Sequence, residues 1–348
     1  MLNKLQNEAL NLAITGHNLF LNGPSGTGKT HCIKEIAKKL TETGKTVAIT
    51  CTTGIACSNF SCATTLHRWS GIHDGRFSSD DIINLILSNE SAVERVRGTD
   101  VLIIDEISML SRKLFDQLVS LLAHVRDKTK FLGGIQLIVC GDFYQLPPVP
   151  NRRYNDNGEF CFYSNHFQKL HRLTLLEVVR QKDQEFVDII HKVALGGEID
   201  TETAKYIKAL DRPLKNPEKS TKLYATNDLV NSFNRSKIEH HPGNIVEYIS
   251  QDIGQNKYLK EFTVPRKLWL KEKCPVVLIR NLSEKLVNGL QGFVTGFSEE
   301  GPYVHFPALN ITTVIGKVQF SGIIIQLCLF LNVVTFFKGW LHYKIYCI

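Results

Sequence analysis

No two of the nine cysteines stand in a Cys-x-x-Cys pair, and the close trio Cys51, Cys57 and Cys62 has no histidines at ligand spacing. That speaks against a metal site and leaves reduced, mostly buried thiols of an intracellular protein as the expectation. His240 and His241 are adjacent, but they precede Pro242 and read as part of a turn. The N-terminus MLNKLQNEALNL lacks the basic residues, apolar run and small cleavage site of a secretory leader. Internal repeats and low-complexity tracts are also missing. Long apolar runs are missing except for Ile323–Leu341 (IIIQLCLFLNVVTFFKGWL), which approaches a membrane span but is interrupted by Gln326, Asn332 and Lys338. A spanning helix there is the minority reading, and no stable membrane association is expected.

What is present suits a soluble protein of two domains, because 348 residues exceed what one hydrophobic core usually organises. The formal net charge of +7 fits a nucleic-acid partner without requiring one. Four short apolar runs, Asn18–Leu21, Val47–Thr50, Val101–Ile104 and Ile135–Cys140, read as parallel strands buried on both faces. A helical pattern over Thr30–Leu40 and others between the runs imply a doubly wound α/β sheet, whose ligands bind at the carboxyl ends of the strands. A polar, helical insertion is expected over 73–98 and a turn-rich loop over Asn151–Glu159. Helices follow from about Gln184, Asp211–Ser220 (DRPLKNPEKS) reads as a linker, and a second domain is expected to follow it.

Each polar motif begins where one of these strands stops. Gly23-Pro24-Ser25-Gly26-Thr27-Gly28-Lys29-Thr30 fits G-x-x-x-x-G-K-[ST] at every fixed position. Glycines let the backbone curl until successive N–H groups point at phosphate oxygens, and the following helix adds its positive end. Lys29 is the candidate for the β- and γ-phosphates, and the Thr30 hydroxyl for a metal. Asp105 and Glu106 end the VLII run, where two buried acids are costly unless they serve a cation or a reaction. Asp105 is read as a holder of Mg²⁺ and Glu106 as the base for an attacking water. Gln145, after the IQLIVC run, is a candidate sensor of the γ-phosphate, and Arg180 a candidate charge clamp. A guanine-selecting N-K-x-D block is absent, which argues against a GTPase.

The ordered blocks LNKLQNEAL, GPSGTGKT, CTTGIAC, TTLHRWSGI, DEISML, GGIQLIVCGDFYQLPPV, LLEVVRQ and VVLIRNLSEKLVNGLQGFVTGF resemble those of the Pif-family DNA helicases of superfamily one. The resemblance runs from the N-terminus to about residue 316, and GDFYQLPPV between DEISM and EVVRQ is its most discriminating string. It implies a P-loop, RecA-like motor domain over 1–182 with a wedge-like insertion at 73–98, and a second, truncated RecA-like domain over 183–316. It also implies ATP and Mg²⁺ as cofactors, with Gln6 recognising adenine. Thr52, Thr53 and Gly54, and likewise Thr65, Leu66 and His67, are implied to contact a DNA backbone, where short donors position a strand without reading its sequence. His67 and Trp69 are further candidates for stacking on bases, although ordinary packing is as good a reading of Trp69. The implied activity is ATP hydrolysis coupled to five-prime to three-prime movement on single-stranded DNA and unwinding of forked or structured duplexes. Genome maintenance in the nucleus or mitochondrion is the implied setting.

The family's later blocks, near H-K-S-Q-G and V-A-L-S-R, do not occur, and the tail 317–348 is apolar instead. On the sequence, the second motor domain is therefore expected to be incomplete and an arginine from the last block to be missing. A hydrolysis-deficient ATP- and DNA-binding regulator is the alternative reading.

Overall fold

Branched apolar residues in the runs around Leu19, Val47, Val101 and Gln136 build adjacent strands of one sheet in the computed structural model. The residues described are 2–335, except 58, 73–76, 197, 214–223, 225, 253–265, 280, 281, 284, 287, 288, 322–326 and 332. The chain divides into units Met1–Asp211 and Arg212–Ile348. The first unit runs α1 (Lys4–Ile14), β1 (Leu19–Asn22), α2 (Lys29–Glu42), β2 (Val47–Cys51), α3 (Gly54–Cys57), β3 (Thr64–Thr65), α4 (Leu66–Ser70), α5 (Ser79–Leu87), α6 (Glu90–Arg97) and β4 (Val101–Asp105). It continues with α7 (Arg112–Val125), β5 (Gln136–Gly141), β6 (His171–Thr174), α8 (Gln184–Ala194) and α9 (Thr201–Ala209).

The sheet order is β3-β2-β4-β5-β1-β6, and every neighbouring pair is parallel. All carboxyl ends therefore share one edge, the edge at which ligands of such sheets bind. Side chains alternate between two buried layers, as the two-residue period of a strand requires. Leu102 and Ile104 of β4 join Phe20, Leu137 and Val139 on one side, under Phe115, Leu118 and Leu122 of α7. Val101 and Ile103 join Leu19, Leu21, Ile138 and Cys140 on the other, under Ala9, Ala13, Ile33 and Ile36 of α1 and α2. Buried on both faces, the strands read as continuous apolar runs.

Side-chain oxygens fix where the helices begin. Asn3 and Gln6 form a reciprocal capping box at α1. Ser78, Asn89 and Ser111 each accept a backbone N–H at the starts of α5, α6 and α7. The insertion expected at 73–98 is accordingly the helix pair α5–α6, anchored through Ile82, Ile86, Val93 and Val96 in the core of the first unit. The Arg95 guanidinium ties this pair to α4, donating to the carbonyls of Trp69 and Arg68 at 3.0 Å each.

The structure bears on four further sequence readings. Trp69 is only 3% exposed and lies in the core with Ile82 and Val93, so packing and not base stacking accounts for its ring. The division between units follows Asp211, at the start of the expected linker and not after residue 182, which leaves α8 and α9 with the first unit. Among the described residues the parallel strand pairs lie in the first unit. In the second unit the strands pair antiparallel, in the order Ile311–Val314, Pro302–Phe306, Gln291–Phe297, Pro275–Leu278 and Val333–Thr335 in its largest sheet. Gln291–Phe297 starts with strict burial alternation, the mark of a strand covered on one face. In the apolar tail, Leu327–Leu331 and Val333–Thr335 are strands, and among the described residues no helix is long and apolar enough to cross a membrane. The rest of Ile323–Leu341 lies outside the described residues.

Replacing Trp69 by alanine is expected to lower the unfolding free energy by about 3–5 kcal/mol, the usual cost of emptying an aromatic core site. Urea titration followed by circular dichroism measures it, and an unchanged midpoint would place the ring at a surface after all.

Candidate nucleotide site

Loops at the carboxyl ends of β1, β4, β5, β6 and β2 meet along the sheet edge. After β1 the loop Gly23–Gly28 turns back on itself before α2 starts at Lys29. Gly28 has φ 80°, a left-handed conformation that glycine adopts without strain. A Cβ there would also come within 2.7 Å of Gln6 Nε2 and displace that amide. Lys29 is buried and donates from Nζ to the carbonyls of Gly23 at 2.7 Å and Pro24 at 3.0 Å. The Thr27 hydroxyl donates to Pro24 O at 2.9 Å, while Ser25 is exposed.

Neighbouring motifs hold this loop. The Gln6 amide donates to Thr27 O at 3.3 Å while its oxygen accepts the Asn3 N–H at 3.0 Å. Asn3 in turn donates to Glu177 at 3.0 Å, and the N–H groups of Val179 and Arg180 donate to Gly26 O at 2.8 and 3.1 Å. The LLEVVRQ segment, downstream of β6, thus lies on the phosphate loop, with the Arg180 side chain exposed beside it.

Asp105 closes β4 at 2% exposure. Its Oδ2 lies 3.4 Å from the Thr30 hydroxyl and its Oδ1 accepts the Glu106 N–H at 2.9 Å. Burial pushes its carboxyl above the usual carboxylate value, against the Glu106 N–H, a hydrogen bond with the Cys140 thiol, the Lys29 charge and the Thr30 hydroxyl. Glu106 is also raised, first by burial and then by the Asp105 charge, with Lys29 opposing, Asp142 adding and Arg180 opposing. Its backbone is left-handed at φ 57° and ψ 45°, a conformation costing a residue with a Cβ roughly 1–2 kcal/mol. Gly141 makes room for that turn, since a Cβ on it would lie 2.9 Å from the Ile107 side chain and 3.0 Å from Ile107 N.

Beyond β5, Asp142 is 6% exposed and organises the loop. Its Oδ1 accepts the Tyr144 N–H at 3.1 Å, and its Oδ2 accepts the Gln145 amide at 3.0 Å. Phe143 turns inward among Phe20, Phe160, Phe162 and Phe167, which anchors the loop while Gln145 stays exposed.

Of the residues expected to meet DNA, Thr52 follows β2 and is bonded to the Asp105–Glu106 turn. Its N–H donates to Asp105 O at 3.2 Å and its hydroxyl to Glu106 O at 2.7 Å. The Thr53 hydroxyl accepts the Ala56 N–H at 3.3 Å, at the start of α3 with Gly54. Thr65 caps α4 by accepting the Arg68 N–H, and His67 is half-buried. Leu66 is 0% exposed, so its side chain belongs to the core and only its backbone remains for a ligand.

Sequence reasoning missed Asp142, Cys140 and the Cys51–Cys57 pair. Aspartate opening a tight loop was an available signal for Asp142. The Cys140 thiol carried none, because its partner Asp105 is remote in sequence, and the six-residue spacing of Cys51 and Cys57 fits no ligand pattern. Cys51 donates to Cys57, which pushes Cys51 up and pulls Cys57 down. Of the seven cysteines whose burial is described five are buried, and no group of three or more metal-binding side chains occurs among the described residues.

A parallel sheet carrying a glycine-rich phosphate loop at β1 and paired acids at the end of β4 is the P-loop nucleoside-triphosphatase fold. A family model described as PIF1-like helicase matches residues 1–204, so the chain belongs to that family. It is 36% identical over 323 residues to the ATP-dependent DNA helicase PIF1 of Candida albicans, covering 87% of this chain and 35% of that protein. To the ATP-dependent DNA helicase RRM3 of Saccharomyces cerevisiae it is 34% identical over 307 residues, covering 85% and 42%. The chain thus spans a third to a half of the length of the curated relatives it matches. The crystal structure of Pif1 helicase from Candida albicans superposes with a TM-score of 0.84 at 32% identity, covering 98% of this chain and 85% of that one. The crystal structure of Bacteroides Pif1 bound to ssDNA, at 23% identity and a TM-score of 0.80, shares the fold.

Raised carboxyls mean that ionising Asp105 and Glu106 opposes folding. The cost is absent below the ordinary carboxylate range and grows as pH rises through the raised folded-state values. Glu106→Gln is therefore expected to raise Tm at neutral pH by about 2–4 °C. The gain should shrink toward zero near about pH 4. Scanning calorimetry at the two pH values checks it, and equal melting of both proteins throughout would show that the surrounding cations already offset the burial.

Proposed function

We propose that the chain is the ATP-hydrolysing motor of a DNA helicase, coupling hydrolysis to five-prime to three-prime movement on single-stranded DNA and to opening forked or structured duplexes. One observation carries this reading: the segment expected to touch DNA is hydrogen-bonded, through Thr52, to the turn that bears the expected base. A phosphate site and a strand-binding segment that share a hydrogen bond suit a motor better than a simple nucleotide store.

In this reading Lys29 and the backbone of Gly23–Thr30 bind the phosphates, and Arg180 neutralises charge developing on the transferred group. Gln6, beside the phosphate loop, selects adenine by exchanging its amide bond to Thr27 for one to the base. Thr30 and Asp105 would hold Mg²⁺; a hydroxyl 3.4 Å from a buried carboxylate in need of a cation is a suitable oxygen donor set. Magnesium there would neutralise and orient the phosphate oxygens. Glu106, held above the usual carboxylate range by its surroundings, takes the proton of the attacking water, for which a stronger base than an ordinary carboxylate is suited. Gln145, held by Asp142, reports the γ-phosphate to the exposed loop. Thr53, Gly54, Thr65, His67 and the backbone of Leu66 line the path of the strand, and α5–α6 forms the wedge. Replication, repair, recombination and telomere maintenance, in the nucleus or the mitochondrion, are the setting such a motor would serve.

ATP hydrolysis by the full chain, with and without single-stranded DNA, tests this beside Lys29→Ala and Glu106→Gln. DNA should stimulate turnover; Lys29→Ala should abolish it together with ATP binding. Glu106→Gln should keep ATP binding and lose about 10²–10⁴-fold in rate. ATP bound through Lys29 with no turnover in the unchanged chain would replace this reading by that of an ATP- and DNA-binding regulator.

A further inference from the structure

Thr52 has one hydroxyl hydrogen and two possible uses for it. A residue that contacts a DNA phosphate by its side chain must donate, because phosphate oxygens only accept. In the structure the hydrogen is already placed: Thr52 Oγ1 donates to the carbonyl of Glu106 at 2.7 Å. The neighbouring backbone makes the same connection, Thr52 N donating to Asp105 O at 3.2 Å. Together these bonds clip the end of β2 to the turn after β4, one step beyond the last register pair, Cys51 with Asp105.

That turn needs a clip. Glu106 is one of five non-glycine residues with positive φ among the described residues, and its left-handed backbone is intrinsically unfavourable. Among the described residues its carbonyl otherwise accepts only from Met109 N, at 3.5 Å, a contact at the edge of hydrogen-bond range. The Thr52 hydroxyl therefore supplies the short bond that fixes the peptide after the base. Rotation of that peptide would swing the Glu106 side chain, and a displacement of about 1 Å is enough to cost on the order of a hundredfold in rate.

We propose that Thr52 is a positioning residue for Glu106, and that single-stranded DNA acts on hydrolysis through it. A strand seated on Thr53 and Gly54 shifts or steadies the segment immediately after β2, and the Thr52 hydroxyl carries that change to the base. The claim rests on the reading of Glu106 as the base and of the segment after β2 as a DNA contact, and it withdraws Thr52 from the side-chain phosphate contacts.

The test uses the full chain with Thr52→Val, which removes the hydroxyl at nearly constant shape, and Thr52→Ser, which retains it. Thr52→Val is expected to lower the DNA-saturated turnover by about 10–100-fold. The ATP KM and the Kd for an oligothymidylate should stay within about twofold, and Thr52→Ser should keep most of the turnover. Hydrogen exchange should also quicken about tenfold at the amides of residues 106–109 in the valine variant alone, the value of one lost hydrogen bond. Weakened DNA binding with unchanged turnover at saturating DNA would assign Thr52 to the phosphates and overturn the proposal. Unchanged exchange would overturn it too, whether or not the chain hydrolyses ATP. Loss of turnover in the unchanged chain, by contrast, would remove the helicase reading and leave the exchange experiment to decide the clip.

Discussion

Asp105 ends a strand buried on both faces, and an ionised carboxylate in such a place is unfavourable by several kcal/mol unless donors and cations surround it. Much of the local architecture answers to that constraint. The Glu106 N–H, the Cys140 thiol and the Thr30 hydroxyl supply donors, and Lys29 supplies charge from across the phosphate loop. Compensation stays incomplete, since the net direction of the shift is upward. A carboxylate left short of positive charge, with oxygen donors beside it, is set up to bind a divalent cation. On the proposed reading, stability is given up where Mg²⁺ would bind.

Close approach is the second consequence. Five loops must reach one edge of a sheet only six strands wide, and the backbones touch. A Cβ on Gly28 would push the Gln6 amide aside, and one on Gly141 would crowd the Ile107 side chain and backbone. The glycine of the GDFYQ block thus serves the DEIS block and not its own loop. Phe143 performs the complementary task, sinking into the Phe20–Phe167 cluster so that Asp142 and Gln145 are presented from a rigid base. Rigid elements below and short polar loops above give the precision that hydrogen-bonded chemistry demands.

The parts legible in the sequence were those whose meaning is local. A phosphate loop is specified by glycines at fixed offsets, and doubly buried strands by unbroken apolar runs, so Gly23–Thr30 and Val101–Asp105 could be placed by spacing alone. Leu66 and Trp69 were harder, because they lie three residues apart in a short polar block. That spacing is what turns both inward once α4 forms, against α5 and α6. The unit boundary was placed where the motifs end, whereas the chain changes units where the proline- and lysine-rich linker begins. Antiparallel pairing in the second unit was hidden for another reason. Gln291–Phe297 reads Gln-Gly-Phe-Val-Thr-Gly-Phe, and the adjacent Phe293 and Val294 conceal in the sequence the alternation that burial shows.

Thr52 shows where reading by residue type stops. A hydroxyl on a loop proposed to bind DNA announces a donor, but the sequence does not say which acceptor wins. Two acceptors compete, a DNA phosphate from outside and the Glu106 carbonyl from the neighbouring strand. The carbonyl is favoured by proximity, since β2 and β4 are already paired through Cys51 and Asp105 and no association entropy remains to be lost. It is favoured again by need, because leaving a partly buried carbonyl without its short bond costs about 1–3 kcal/mol. A solvated phosphate keeps its water if the hydroxyl stays away, so the exchange gains little on that side. On the proposed reading the intrachain bond therefore persists when DNA arrives, and the segment that follows it passes a push from the strand to Glu106 without letting go of either.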